Sequence, residues 1–405
     1  MRDRRNRRVR PFHVECLESR ELLTYSLLGD SWSHPERVTY SVMPDNTSIG
    51  GISSNLNSAM PSGWETEVRK AAAIWENVAH INLVEVSDDG SSVGVSGDQQ
   101  GDSRFGDIRI GGYDFQNSGL LGYAYSPPPA NGGTNAGDLF FNTAQSWQTN
   151  GNTYDVRTVA IHEFGHALGL GHSTVSTAEM YSIYTASKWS LDTDDTNGMR
   201  AVYGSWSADP YDGGSNNNAS TRAYDITSLI DGNLQVRIGD ANIHTTNDVD
   251  WYKITVPSGT SGTMVVKMQS SGLSDLIPVQ TVYNSSFVSQ GGGTGSFTGS
   301  GDTLTVTVNS VSAGQVYYIK DTYGASYAAE GTYGVLVNFG TTTLAAISPP
   351  NTTVAAQYDQ GGGSNPDSQG DAYGRGIMTR FVFPRREGID PIDFFRPRHK
   401  HIRVI

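Results

Sequence analysis

Three histidines, a glutamate and the glycine at 169 stand at telling places in one eleven-residue run, His162-Glu163-Phe164-Gly165-His166-Ala167-Leu168-Gly169-Leu170-Gly171-His172. Their types and spacing suit a catalytic zinc site. Positions four apart on an α-helix lie one turn apart on the same face, so His162 and His166 can share one ion. Glu163 sits beside the first ligand, where it reaches a metal-held water without ligating the metal. Gly169, three residues after His166, can take the backbone conformation that ends a helix, and the chain then returns with His172 as third ligand. Three protein ligands leave a fourth position for water, the mark of a catalytic rather than a structural zinc. A lone HExxH pair arises by chance in many helices. Five specified positions in a chain of this length do so with odds on the order of one in ten thousand.

Such a run needs elements to hold it. Asp155 is the expected N-cap of the zinc helix, with Thr158, Val159 and Ile161 opening it. Trp64 to Val78 carries Val68, Ala71, Ala72, Ile74, Trp75 and Val78 at helical spacing and predicts an amphipathic helix. Strands are expected at Arg37–Val42, Ile81–Val86, Asp107–Ile110 and Leu121–Tyr125. The fold class is therefore α+β for a first unit over 32–206, a twisted mixed sheet with an active-site helix. Residues 207–223, rich in Ser, Asn, Gly and Asp, read as a linker. From 224 to 340 only strand signals appear, at Gln235–Ile238, Trp251–Val256, Met264–Met268, Leu304–Val308, Val316–Ile319 and Tyr333–Val337. That pattern predicts an all-β sandwich. From 341 to 405 Pro, Gly, Ser and charge dominate, and a disordered tail is expected.

The chain has 405 residues, 37% of them hydrophobic, with 47 glycines and a net charge of −13. The charge is uneven. Residues 1–10 hold six arginines against Asp3, and residues 371–405 hold eight basic residues against four acids. The rest has 14 basic and 36 acidic residues. So acidic a body argues against nucleic-acid binding and fits an exported protein able to hold calcium. Cys16 is the only cysteine and cannot form an internal disulfide. No stretch reaches the roughly 18 apolar residues of a membrane span. Residues 1–31 read as a basic leader, export-related or disordered, without the apolar core of an ordinary secretory signal. Its Leu17-Glu18-Ser19-Arg20-Glu21-Leu22-Leu23 string resembles a leader of large bacterial surface and secreted proteins.

The zinc run and its flanks resemble the metzincins, and within them the matrixins. Ser173 follows the third histidine, and Met180 stands eight residues beyond it in Ala178-Glu179-Met180-Tyr181-Ser182-Ile183-Tyr184, similar to the matrixin Met-turn. Ser182 stands where astacins and serralysins carry a zinc-ligating tyrosine. Leu191 to Gly204 looks like the family's closing helix. The resemblance implies that Asp194 and Asp195 tie that helix to the Met-turn and the domain's start, and it counts Tyr184 among the supporting residues. It also implies a zinc endopeptidase with Glu163 as general base and an extended peptide held on the edge strand Leu121–Tyr125. There are departures. Tyr123 and Phe140 replace the histidines of the family's second zinc, and Asn142 and Gln145 stand in place of acidic calcium ligands. Asp138, near Gly133 and Gly137, remains a calcium candidate. The family's zinc-capping cysteine motif is missing. The β unit resembles the bacterial prepeptidase C-terminal domain through Asn247-Asp248-Val249-Asp250-Trp251-Tyr252, Asp275-Leu276, Tyr317-Tyr318-Ile319 and Gly331-Thr332-Tyr333. Asp248 and Asp250 are calcium candidates or simple turn acids.

These readings predict a secreted or cell-surface monomer acting on polypeptide. Two alternatives stay open: a surface adhesin whose sandwich binds glycan or protein, and a zinc amidase acting on another amide.

Overall fold

Alternating and helical hydrophobic periods sort the chain into two cores. In a computed structural model, which describes residues 24–116, 119–356 and the backbone of 379–382, one core is drawn from Trp32 to Met199 and the other from Ile226 to Phe339.

The first unit runs β1 (Val38–Val42), β2 (Ser48–Ile49), β3 (Ile52–Ser53), α1 (Leu56–Ala59), α2 (Trp64–Glu76), β4 (Leu83–Glu85), β5 (Ile108–Tyr113), β6 (Leu120–Ala124), β7 (Leu139–Asn142), α3 (Val156–Ala167) and α4 (Thr193–Tyr203). β1 is parallel to β4 and β5, β5 is parallel to β7, and β6 turns antiparallel to β7, which makes the sheet mixed. α2 lays its apolar face on α3, and the buried Trp75 donates its indole N–H to the Ile161 carbonyl at 2.9 Å. That bond fixes α2 against the middle of the zinc helix. α3 has no polar face: eleven of its twelve residues are buried. Such a helix sits inside a core rather than on it.

The second unit follows as β8 (Tyr224–Asp225), β9 (Gln235–Ile243), β10 (Asp250–Thr255), β11 (Ser261–Gln269), β12 (Pro278–Asn284), β13 (Ser289–Thr294), β14 (Thr303–Ser312), β15 (Val316–Tyr323) and β16 (Gly331–Asn338). They form a sheet in the order β13-β12-β15-β10-β8 and another in the order β14-β11-β16-β9. Both sheets feed side chains into one core, among them Tyr252, Ile254, Val282 and Ile319 from the first and Val236, Met264, Val266 and Val335 from the second. The two units touch directly. Asn82 donates to the Thr332 hydroxyl, the Tyr40 hydroxyl reaches Asp275 at 3.2 Å, and the Asp275 N–H meets the Glu76 carboxylate. Glu76 and Asp275 are fully buried, and burial pushes both well above the usual carboxylate range.

Three expectations change. The leader was expected to run to residue 31, yet residues 24–31 are built onto the first unit: Leu28 N–H bonds Gly169 O, and Gly171 N–H bonds Ser26 O. Open backbone groups beside the end of α3 take up this segment. Cys16 and the rest of the leader lie outside the described residues. The tail expected to be disordered from 341 instead packs Leu344 and hydrogen-bonds Ile347 N–H to Gln269. Beyond 356 only β17 (Thr379–Val382) is described. It pairs antiparallel with β6, Thr379 opposite Ala124 and Val382 opposite Leu120. β6 was expected to be an edge strand and is not one, because its unpaired row of N–H and C=O groups is taken by β17.

Candidate metal and active site

The zinc helix starts where its sequence can cap it. The Asp155 carboxylate accepts the Thr158 N–H at 3.0 Å and the Gly151 N–H at 2.9 Å, and the Tyr184 hydroxyl meets the Asp155 N–H at 3.1 Å. At the other end the chain must leave the helix within three residues to bring His172 back. Gly169 does this at φ +106°, where a side chain is strained; a methyl there would also lie 2.4 Å from the Asp30 carbonyl.

The three imidazoles converge. Ring centroids are 4.6 Å apart for His162 and His166, 4.9 Å for His166 and His172, and 5.4 Å for His162 and His172. Nδ1 of His162 faces the Glu179 carbonyl and Nδ1 of His166 the Leu170 carbonyl, each at 2.7 Å. Both rings thereby donate at Nδ1 and turn Nε2 inward, where the two Nε2 atoms lie 3.0 Å apart. His172 Nε2 is buried with no hydrogen-bond partner among the described residues. Ligand nitrogens on a tetrahedral zinc stand roughly 3.3 Å apart. The donor set therefore fits the ion, and His162, His166 and His172 form a group able to hold one metal. Burial keeps all three rings neutral below their usual pKa, His166 down to about 3, which suits lone-pair donors.

Glu163 is fully buried beside them, and among the described residues neither carboxylate oxygen has a hydrogen-bond partner. Burial alone drives its pKa well up. β6 passes directly beside it: a methyl at Gly122 would lie 2.7 Å from Glu163 Oε1.

Below the triad the chain folds back on itself. Ser173 N–H bonds the Met180 carbonyl at 2.8 Å. Asp195 accepts the Glu179 and Met180 N–H groups at 2.8 and 3.0 Å, and it closes a capping box with Asp192 at the start of α4. Asp194 takes the Ser173 hydroxyl at 2.5 Å and the hydroxyl of Thr24. The Met180 side chain fills the space against Gly165, whose missing Cβ would sit 2.3 Å from Met180 Sδ.

Residues 31–204 match the family model described as Matrixin. This unit is a matrixin domain. Karilysin of Tannerella forsythia is 35% identical over 227 residues, 55% of this chain and 43% of that protein. The hatching enzyme of Paracentrotus lividus is 32% identical over 196 residues, 46% of this chain and 28% of that protein. The interstitial collagenase of Equus caballus is 35% identical over 141 residues, 34% of this chain and 27% of that protein. The matches thus span less than half the length of these curated relatives. Matrixins use a catalytic zinc, and the triad of this matrixin domain is the group that can hold it.

Where the matrixin pattern is altered, aromatic rings fill the space. Tyr123 and Phe140 stack with centroids 5.0 Å apart and pack with Tyr113 and Tyr125. The calcium candidate Asp138 is fully buried and accepts the Arg109 backbone N–H at 3.0 Å. Among the described residues it belongs to no group of metal-ligating side chains. A second such group does exist, Asp212 with His244 and Asp248. Reading the sequence paired Asp248 with its neighbour Asp250 and missed Asp212 and His244, since neither stands at a recognisable ligand spacing.

Proposed function

We propose that the chain is a zinc-dependent endopeptidase that cleaves extended polypeptides outside the cell or at its surface. What carries the reading is the pairing of three converging imidazoles with a buried carboxylate that no hydrogen-bond donor among the described residues engages. Zinc on His162, His166 and His172 supplies an acidified water and polarisation of the scissile carbonyl. Glu163 receives the proton as attack begins and returns it to the leaving amine, so one carboxylate serves as base and then as acid. The Glu179 and Leu170 carbonyls hold the ligand rings in the tautomer and direction this requires. Met180 and Asp195 fix the loop that carries the Glu179 carbonyl. β6 offers the backbone row on which a peptide can lie extended beside Glu163. β17 occupies that row, so a peptide docking there displaces it.

The sandwich, similar in its motifs to prepeptidase C-terminal domains, supports a second role in adhesion. Trp251 stacks on Tyr283 and Phe287 on Tyr318, and Phe287 is 47% exposed. Flat aromatic rings of this kind suit sugar or side-chain stacking.

Purified protein with Glu163→Ala tests the first reading: casein or gelatin cleavage is expected to vanish while one zinc per chain is retained. Cleavage that survives the substitution refutes the mechanism, and His166→Ala protein that still carries a full zinc refutes the ligand set. For adhesion, Trp251→Ala with Phe287→Ala is expected to abolish retention on a glycan array or matrix-protein surface. Unchanged retention removes that role.

A further inference from the structure

Where the segment between the two units meets the sandwich, buried acids carry oxygens that no group among the described residues satisfies. Asp212 is 4% exposed, and neither of its carboxylate oxygens has a hydrogen-bond partner among the described residues. Asp248 and Asp250 are fully buried. Asp248 Oδ2 accepts the His244 N–H at 3.1 Å and Asp250 Oδ2 accepts the Tyr333 hydroxyl at 2.5 Å, but Oδ1 of each is unpartnered. Asn217, 1% exposed, has both amide atoms unpartnered, and its backbone carbonyl accepts the Trp251 N–H beside Asp250. An isolated buried carboxylate is costly, and several together repel one another. Asp248, Asp209 and Asp212 all act on Asp250 as like charges. His244 is the one basic group in the cluster. Its Nδ1 lies 2.6 Å from Asp248 and 3.6 Å from Asp212, and at most one positive charge there offsets three carboxylates. Asp209 is a different case, since its oxygens accept the backbone N–H groups of Tyr211, Asp212 and Asn242. It shapes the loop rather than lacking partners.

The ligand atoms of Asp212, His244 and Asp248 lie within 4.8 Å of one another. The Asp212 and Asp248 carboxylates therefore lie within the span across a calcium ion whose oxygens sit at about 2.4 Å, and the His244 nitrogen is beside them as a counter-charge and not as a calcium ligand. The unpartnered oxygens are hard donors, carboxylate and amide, which suit Ca²⁺ over Zn²⁺. We propose that this is a calcium site, with Asp212, Asp248 and Asp250 as carboxylate ligands and Asn217 as amide ligand, that fastens residues 209–217 to the β9–β10 end of the sandwich. The segment joining the two units is then a calcium-locked strap and not a loose linker.

The test uses the full chain with Glu163→Ala, to prevent self-cleavage, loaded with one zinc and freed of calcium. Titrating CaCl₂ by calorimetry is expected to show one further ion per chain with Kd on the order of 10⁻⁴ M or tighter. The melting temperature should rise with calcium, and trypsin cleavage at Arg222 should slow at least about tenfold. Asp212→Asn and Asp248→Asn should each weaken calcium binding at least about tenfold with the zinc content unchanged. If either variant fails to fold, removing calcium from the unsubstituted-site protein and adding it back decides, because the melting and trypsin effects must reverse. No heat and no protection up to about 10 mM calcium overturns the site. So does calcium affinity that is unaltered in a folded Asp212→Asn protein. Binding of Zn²⁺ or Mn²⁺ but not Ca²⁺, abolished by His244→Ala, overturns the calcium assignment.

Discussion

Gly165→Ala adds a single methyl inside the zinc helix and tests how the loop below the metal is held. The new Cβ would lie 2.3 Å from Met180 Sδ, 3.0 Å from Met180 Cε and 3.0 Å from Trp75 Cζ2. The first distance is more than about 1 Å short of ordinary contact. Trp75 cannot yield easily, because its indole is bonded to Ile161, so Met180 must move. Overpacking of this kind costs about 1–3 kcal/mol. Alanine regains about 0.8–1 kcal/mol of helix propensity over glycine, which leaves a net loss of about 0–2 kcal/mol. A domain of this size loses about 2–4 °C in Tm per kcal/mol, so a modest fall of a few degrees is expected. The larger effect falls on the metal. Met180 shares its loop with the Glu179 carbonyl that orients His162, and loss of such a partner lowers zinc affinity about 10–100-fold. Thermal melts and zinc competition with a chromogenic chelator, run as a double-mutant cycle with Met180→Ala, measure both. With the methionine truncated, the alanine at 165 should cost at least about 1 kcal/mol less. An equal cost in both backgrounds means the Gly165–Met180 contact is not the reason for the glycine.

Further perturbations follow from the same geometry. Asp195→Ala deletes the acceptor of three backbone N–H groups, those of Glu179, Met180 and Asp192, and is expected to cost about 2–4 kcal/mol in urea denaturation and to loosen zinc. Asp88→Ala leaves the Arg109 guanidinium, fully buried like its partner, without its carboxylate; a loss of about 3–5 kcal/mol is expected, and less than 1 kcal/mol would contradict a dry ion pair. Asp321 lies opposite Asp250 in the β10–β15 ladder and is bonded by Gln280, and burial pushes it up to about 8. The folded state therefore keeps a proton that the unfolded chain releases near pH 4. Its contribution is present below pH 4 and is lost as pH rises towards 8, on the order of 5 kcal/mol at most. Asp321→Asn should flatten that slope in denaturation series at fixed calcium, and parallel pH profiles for both proteins would refute the assignment.

The metal triad was legible because its chemistry is local: four-residue spacing on a helix and one glycine turn place three rings without reference to the rest of the chain. The helix Trp64–Glu76 and most of the sandwich strands were legible for a similar reason, since each has its own hydrophobic period. β12 and β13 were not. β12 opens on Pro278, and β13 reads Ser-Gln-Gly-Gly-Gly-Thr, so neither offers an apolar alternation; pairing to β15 makes β12 a strand, and pairing to β12 makes β13 one. The place of Thr24 beneath Asp194 was equally hidden, because a segment of 24–31 reads alone as weakly apolar leader. Asp212 and Asp248 are 36 positions apart and meet only after β9 has run the length of its sheet.

The four residues of β17 on β6 have a consequence for how this protein responds to its own concentration. A competitor carried on the same chain is not diluted when the protein is. Its effective concentration is set by the length of chain that joins it to the rest. A peptide bidding for the same row of backbone groups therefore meets a constant opponent. A chain shortened to residue 356 should bind the same peptide more tightly, with zinc content and turnover at saturation left as they were.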